Sequence, residues 1–411
     1  MINTMMSSNL NSKVKKTLGF SAVATAVAAM SIATLASIVS CTKKNAATSA
    51  DAGASAASSN EILVGEYGSF TGSEATFGLS TSAGIKMAFD EKNKAGGIRG
   101  KQLKLISLDN QGKAEEAAAA VTRLITQNGV IAVLGEVASS RSLAAAPIAQ
   151  QNKIPMISPS STNPKVTEGR DYVFRVCFID PFQGTVMAKF AWDHLKAKKV
   201  AILRDVKSDY SMGLADYFIK KFKELGGEIV VDQSYQSGDM DFKSQLTSMK
   251  SLKPDAVFIP GYYTEVGLIA RQARQLGIKA PLLGGDGWDS SKLYEIGGQA
   301  INGSYFSNHY TTESTDPVVV DFIKTYKDRN GGQTPDGLGA LGYDAARVLI
   351  AAMERAPKLT PTAIRDEIAK TKDFLGVTGK ITLDENRNAT KPAVVVKVDG
   401  NINRFVTTIT P

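Results

Sequence analysis

From Glu61 onward, short β-branched runs alternate with stretches whose apolar residues recur every three or four positions. That alternation constrains the fold more than any single motif, because it prescribes strand–helix–strand units. Ile62-Leu63-Val64, Leu103 to Leu108, Ile131 to Leu134, Val200 to Leu203, Ile229-Val230-Val231 and Ala256 to Ile259 read as buried strands, apolar on both faces. Between them, Ala117, Val121, Leu124 and Ile125 share one helical face, as do Val266, Ile269, Ala270 and Ala273. Helix stops stand at Ala95-Gly96-Gly97, Gly129, Leu225-Gly226-Gly227 and Gly277. The expected class is α/β, with open parallel sheets and ligands at the carboxyl ends of the strands. One βα series runs from about Glu61 to Phe178 and a second from about Ile179 to Asn308. Further elements follow over Pro317 to Arg329, Gly337 to Arg355 and Ala393 to Thr408, so two lobes with a shared C-terminal segment are expected.

The first forty residues read as an address. Lys13, Lys15 and Lys16 precede an uncharged stretch from Leu18 to Val39, the build of an export signal. A permanent membrane anchor is the alternative, since such a stretch has the length to span a bilayer. Its end, Ile38-Val39-Ser40-Cys41, resembles a bacterial lipobox, which makes residues 1–40 a lipoprotein signal peptide and Cys41 the lipidated residue. Two or three acyl chains hold a protein firmly on a bilayer where one does not. Residues 41–60 are Ala-, Ser- and Lys-rich without large apolar side chains, and read as a flexible tether of roughly 25 Å r.m.s. span.

Composition removes several classes. Two cysteines cannot form a disulfide framework, and two histidines leave little for a His-based metal or catalytic site. The formal charge of +8 includes the three signal lysines, and no dense basic block follows, which argues against nucleic acid as a partner. The turn after the first run, Gly65-Glu66-Tyr67-Gly68-Ser69-Phe70-Thr71-Gly72, does not match the dinucleotide pattern, and neither a phosphate loop nor a nucleophile elbow occurs. His194 lies in a helical segment and reads as surface or packing; His309 lies in a connection between lobes and reads as no catalyst. No catalytic residue, cofactor or metal is expected.

The strand ends carry polar and aromatic loops instead. Gly135-Glu136-Val137-Ala138-Ser139-Ser140 leads into a helix at about Arg141, and Ser158-Pro159-Ser160-Ser161-Thr162 supplies a second bank of hydroxyls. Together they could hold one carboxylate without any arginine, although plain N-capping or a polar turn explains each separately. In the second series Asp209-Tyr210, Gly261-Tyr262-Tyr263 and Gly284-Gly285-Asp286-Gly287-Trp288 occupy comparable places. A carboxylate flanked by glycines and aromatics suits an ammonium group, unless Asp286 is an ordinary turn residue.

These loops, with Asn93-Lys94-Ala95-Gly96-Gly97-Ile98-Arg99-Gly100, resemble in order the periplasmic leucine/isoleucine/valine-binding proteins, solute receptors of branched-chain amino-acid ABC importers. The likeness spans about Glu61 to Asp399. It implies a type I periplasmic-binding fold, two doubly wound parallel-sheet lobes joined by a three-stranded hinge. It also implies an N-lobe of 61–178 and 309–383 and a C-lobe of 179–308 and 384–411. By position, Ser139 and Thr162, with backbone at Ser160, would bind a ligand α-carboxylate, and Asp286 the α-ammonium, where relatives often carry Glu. Tyr210 and Tyr262 would come from the C-lobe, and Phe77 stands where Tyr is common. Trp288 replaces a small or aliphatic residue, and would either shrink the pocket or offer a stacking face.

The resemblance therefore implies a monomeric, lipid-anchored receptor of the bacterial cell envelope, at the periplasm or cell surface. It would bind a neutral L-amino acid by hinge closure, deliver it to an ABC importer permease, and perform no catalysis. A receptor for an amide, urea or aromatic acid, a sensory module, and a surface hydrolase lacking a visible nucleophile are the alternatives.

Overall fold

The computed structural model describes residues 60–411. The expected signal, Cys41 and the tether as far as residue 59 lie outside the described residues.

The first sheet contains β1 (Glu61–Gly68), β2 (Gln102–Asp109), β3 (Val133–Leu134), β4 (Met156–Ser158) and β5 (Val173–Arg175). All neighbours are parallel, in the order β2-β1-β3-β4-β5. Helices α1 (Ala75–Lys94), α2 (Ala114–Thr126) and α3 (Ser139–Gln151) connect them. Ala117, Val121 and Leu124 of α2 pack with Ala145 and Ala149 of α3 over one face, and Phe77, Ile85 and Phe89 of α1 join the core on the other. Each face of a parallel sheet is thereby covered, as its hydrogen-bonded but apolar strands require.

The second series repeats the plan through α4 (Asp180–Lys189), β6 (Lys199–Asp205), α5 (Asp209–Glu224), β7 (Glu228–Tyr235), α6 (Lys243–Ser251), β8 (Ala256–Phe258), α7 (Tyr263–Gln275), β9 (Leu282–Gly284), α8 (Ser291–Gly297) and β10 (Tyr305–Asn308). Then come α9 (Pro317–Arg329), α10 (Gly337–Arg355), α11 (Pro361–Ala369), β11 (Phe374–Gly376), β12 (Gly379–Leu383), β13 (Ala389–Thr390), β14 (Ala393–Asp399) and β15 (Ile402–Ile409). The second sheet has the order β15-β14-β10-β9-β8-β6-β7. Helix α10 returns to pack along α1, while β14 and β15 join the second sheet.

Three expectations need correction. β2 and β7 are edge strands, so exposed residues interrupt them and they are not buried on both faces. The second sheet is not wholly parallel, because β14 pairs antiparallel with both β10 and β15. A small antiparallel sheet, β11-β12-β13, was not anticipated.

In both sheets the strand order reverses beside the first strand, between β1 and β3 and between β6 and β8. Crevices open at such switch points because the following helices leave on opposite faces. The loops after β3 and β8 lie at those two points.

Candidate functional site

The cleft is built by loops that neighbouring hydroxyls hold in shape. Ser158 Oγ donates to the Glu136 carbonyl at 2.7 Å and accepts from Ser161 N–H at 2.8 Å. Ser161 Oγ lies 2.9 Å from that same carbonyl and 2.7 Å from Ser142 Oγ. Two hydroxyls of that serine-rich loop, Ser158 and Ser161, therefore stitch the loops after β3 and β4 together, and Ser160 alone of the three serines lines the cavity. Helix α3 begins at Ser139, two residues before the expected start, and its N-cap is Ala138, which supplies no side-chain acceptor. Ser139 and Ser140 are thus first-turn residues rather than caps, which leaves the positive end of α3 without a side-chain cap. Ser139 Oγ accepts from Asn163 N–H at 3.2 Å. Arg141 in α3 is committed elsewhere: it is ion-paired with Glu74, lies 3.6 Å from Glu136, and donates to Ser69 Oγ at 3.0 Å. Burial opposes its charge, but Glu136 and Glu74 outweigh burial and raise its pKa.

The opposing wall is aromatic. Tyr210, in the first turn of α5, stacks on Tyr262 with centroids 5.3 Å apart and planes at 8°. Phe77 of α1 meets the Tyr262 ring edge-on at 5.3 Å. Between these walls lies a narrow cavity of about 10 Å³. Five of the expected residues line it: Phe77, Ser160, Tyr210, Tyr262 and Asp286. Val137 and Leu338 complete its apolar side and were missed from the sequence. Val137 sits in a loop read for its hydroxyls, and Leu338 arrives on α10 from a distant part of the chain.

Asp286 follows β9 and is 4% exposed. Its Oδ1 accepts from Gln183 Nε2 at 2.7 Å and Tyr210 O–H at 3.0 Å. Its Oδ2 lies 3.0 Å from His309 Nε2 and accepts from Ser160 O–H at 3.3 Å. Burial alone would raise this carboxyl's pKa, yet His309, Gln183 and Tyr210 outweigh it and hold the pKa below the usual range. His309 is itself buried, and burial lowers its pKa against the pull of Asp286. A neutral ring with its proton on Nε2 satisfies both directions and leaves Nδ1, which has no partner, as a bare acceptor. Gln183 and His309 were not anticipated as partners of Asp286; neither their spacing nor a motif signals it.

Three expected residues do not line the cavity: Ser139 and Thr162, both buried, and Trp288. Thr162 Oγ1 has no hydrogen-bond partner, and neither has either carboxylate oxygen of Asp180. Burial pushes the Asp180 carboxyl up to about 8, and the nearby Asp286 charge reinforces the shift. Trp288 requires a correction. Its ring neither narrows the cavity nor stacks into it, but turns beneath the loop, donating from Nε1 to the Ile259 carbonyl at 3.0 Å and packing near Phe306. Gly284 leaves the space: a Cβ there would collide with the indole. His194 stacks on Phe190 at 4.7 Å, a packing role as expected. Among the described residues no group of three or more His, Cys, Asp or Glu side chains could hold a metal.

The two halves touch around the cavity. Thr76 Oγ1 lies 2.9 Å from Ser290 Oγ, Thr264 O–H donates to the Ser73 carbonyl at 2.7 Å, and Asn163 Nδ2 donates to the Asp209 carbonyl at 2.9 Å.

Residues 61–402 match a protein family described as periplasmic binding protein. The chain is 32% identical over 326 residues to the leucine-, isoleucine-, valine-, threonine- and alanine-binding protein of Pseudomonas aeruginosa, covering 79% of this chain and 86% of that one. It is 30% identical over 335 residues to Leu/Ile/Val-binding protein homolog 3 of Brucella melitensis, covering 81% and 90%. Among solved structures, the leucine-binding protein LivK of Thermotoga maritima superimposes with a TM-score of 0.82 at 46% identity, covering 85% of this chain and 99% of that one. LivJ of Streptococcus pneumoniae, solved with isoleucine, gives 0.80 at 36% identity, covering 84% and 99%.

Proposed function

The chain belongs to the periplasmic binding protein family, and on that premise we propose that it captures a neutral L-amino acid, branched-chain or related, for an ABC importer. The observation that carries this reading is Asp286, a buried carboxylate whose oxygens meet donors from both halves of the molecule. Its acceptor positions are filled by four donors, and Ser160, on the opposite half, makes the longest of these bonds at 3.3 Å. A ligand ammonium takes over that position. The ligand carboxylate is met by the uncapped start of α3, with Ser139 and Thr162, and its side chain rests on Phe77, Val137 and Leu338. The names of the relatives support the branched-chain class.

Capture works by closure, because a ligand held by both halves has its full set of contacts only when they meet, and that difference in affinity shifts the population. The lobes are taken as 61–178 with 309–383 and 179–308 with 384–411. An affinity near micromolar, about −8 kcal/mol, suits a receptor that must release its cargo to a permease. The chain acts without catalysis, as a monomer held at the cell envelope through lipid on Cys41. The test is a thermal-shift panel of the twenty amino acids followed by calorimetry. Leucine, isoleucine or valine should raise the midpoint; no shift with any amino acid would reject the reading.

A further inference from the structure

Away from the ligand cavity, the two halves meet at a second carboxylate. Asp289, on the loop after β9, sends Oδ2 across the cleft to accept from Gly337 N–H at 2.6 Å. Gly337 is the first residue of α10, a helix of 19 residues, so Asp289 docks on its positive end. On its own side Asp289 is held by Asn308 Nδ2 at 2.8 Å and Asn403 Nδ2 at 3.2 Å. The helix already has an N-cap of its own, Asp336, whose Oδ1 accepts from Gly339 N–H at 2.9 Å and from Ser80 O–H. Closure thus brings two carboxylates to one helix end. Gly337 admits this approach because it has no side chain: a Cβ there would stand 2.5 Å from Asn308 Oδ1.

We propose that Asp289 latches the lobes by capping α10 across the cleft, and that seating it beside Asp336 makes closure take up a proton. This rests on the hinge-closing receptor proposed above and adds a positioning residue outside its ligand cavity. The groups facing the pair are Asp286 on the same loop, Tyr294 of α8, Tyr310 after β10 and Tyr326 of α9. Lys292, the cation lining the adjoining outer cavity, is paired with Glu295. Burial and then Asp289 push Asp336 up to about 7, and burial also raises Asp289. With the lobes apart both carboxyls are wetter and return toward about 4. Between those values the closed state holds a proton that the open state lacks, so closure weakens as pH rises toward about 7 and is indifferent to pH above it. His309 acts with the opposite sign, since burial lowers its pKa, so the latch is read as a difference between wild type and variant.

The experiment is calorimetry of L-leucine binding at pH 6 in two buffers of different ionisation enthalpy, on wild type and Asp289→Asn. Wild type should take up more protons than the variant, and its Kd should rise about three- to tenfold more per pH unit between pH 5.5 and 7. Gly337→Ala, which leaves both carboxylates in place and favours the helix, should raise the dissociation rate about tenfold or more with association unchanged. A ligand-free arm separates the latch from the receptor reading: spin labels at Lys113→Cys and Met240→Cys, in the full chain bearing Cys41→Ser, report the closed fraction by pulsed resonance. That fraction should fall between pH 5.5 and 7 and not in Asp289→Asn. Failure of L-leucine to bind would count against the receptor reading, with the label distances still deciding the latch. Equal proton uptake in Asp289→Asn and wild type, or a closed fraction with the same pH dependence in both, would overturn the proposal.

Discussion

His309 Nε2 lies 3.0 Å from Asp286 Oδ2 while its ring stacks on Phe178 at a centroid distance of 3.9 Å, so the connection between the halves orients the carboxylate at their interface. A residue that offers no chemistry by itself thus holds the group proposed to meet the ligand ammonium.

Asp286→Ala should weaken amino-acid binding by several hundredfold or more, because losing the partner of a buried charge costs about 3–5 kcal/mol. His309→Phe keeps the stack on Phe178 and removes one donor, which should cost about tenfold. Calorimetry on both variants checks the order; equal effects would show that His309 does more than orient the carboxylate.

Leu338→Ala should cost leucine about 1–2 kcal/mol, some five- to thirtyfold, while alanine, too short to reach that wall, loses little. The readout is the ratio of the two dissociation constants, which a general loosening of the fold would leave unchanged.

Trp288→Phe should lower stability by about 1–2 kcal/mol through a lost buried hydrogen bond and a small void, yet leave the preference among amino acids as it was. Denaturant melts and a ligand panel separate the two effects. A changed preference would return Trp288 to the pocket wall.

Asp180 predicts the pH dependence of stability. Its folded-state pKa of about 8 stands above the ordinary carboxyl value of about 4, so the folded chain holds the extra proton. The stability from that proton is complete below the ordinary value and is lost progressively as pH rises to about 8. Asp180→Asn should remove that loss, giving a higher melting temperature than wild type at pH 8.5 and a smaller difference at pH 5.

The alternation of apolar runs and helical stripes made the α/β class legible, and Pro317 to Arg329 and Gly337 to Arg355 are helices over the spans read from the sequence. These are local properties, because a period of two or near four residues is set by backbone geometry and survives in any tertiary setting. Burial on both faces of β2 and β7 was misread, since position at a sheet edge depends on which strands pair.

The same division runs through the site. Ser160, Tyr210, Tyr262 and Asp286 stood out because polar or aromatic residues at strand ends and helix starts are local signals, whereas Phe77 came from the family resemblance alone. Ser160 and Asp286 are 126 positions apart, and His309, Gln183, Leu338 and the docking of Asp289 on α10 likewise arise from segments remote in the chain. Sequence by itself determined the layered architecture and which loops would face the cleft. Only the tertiary structure decided which side chains of those loops turn inward, because that choice is made by packing and by hydrogen bonds that each remote partner either accepts or leaves open.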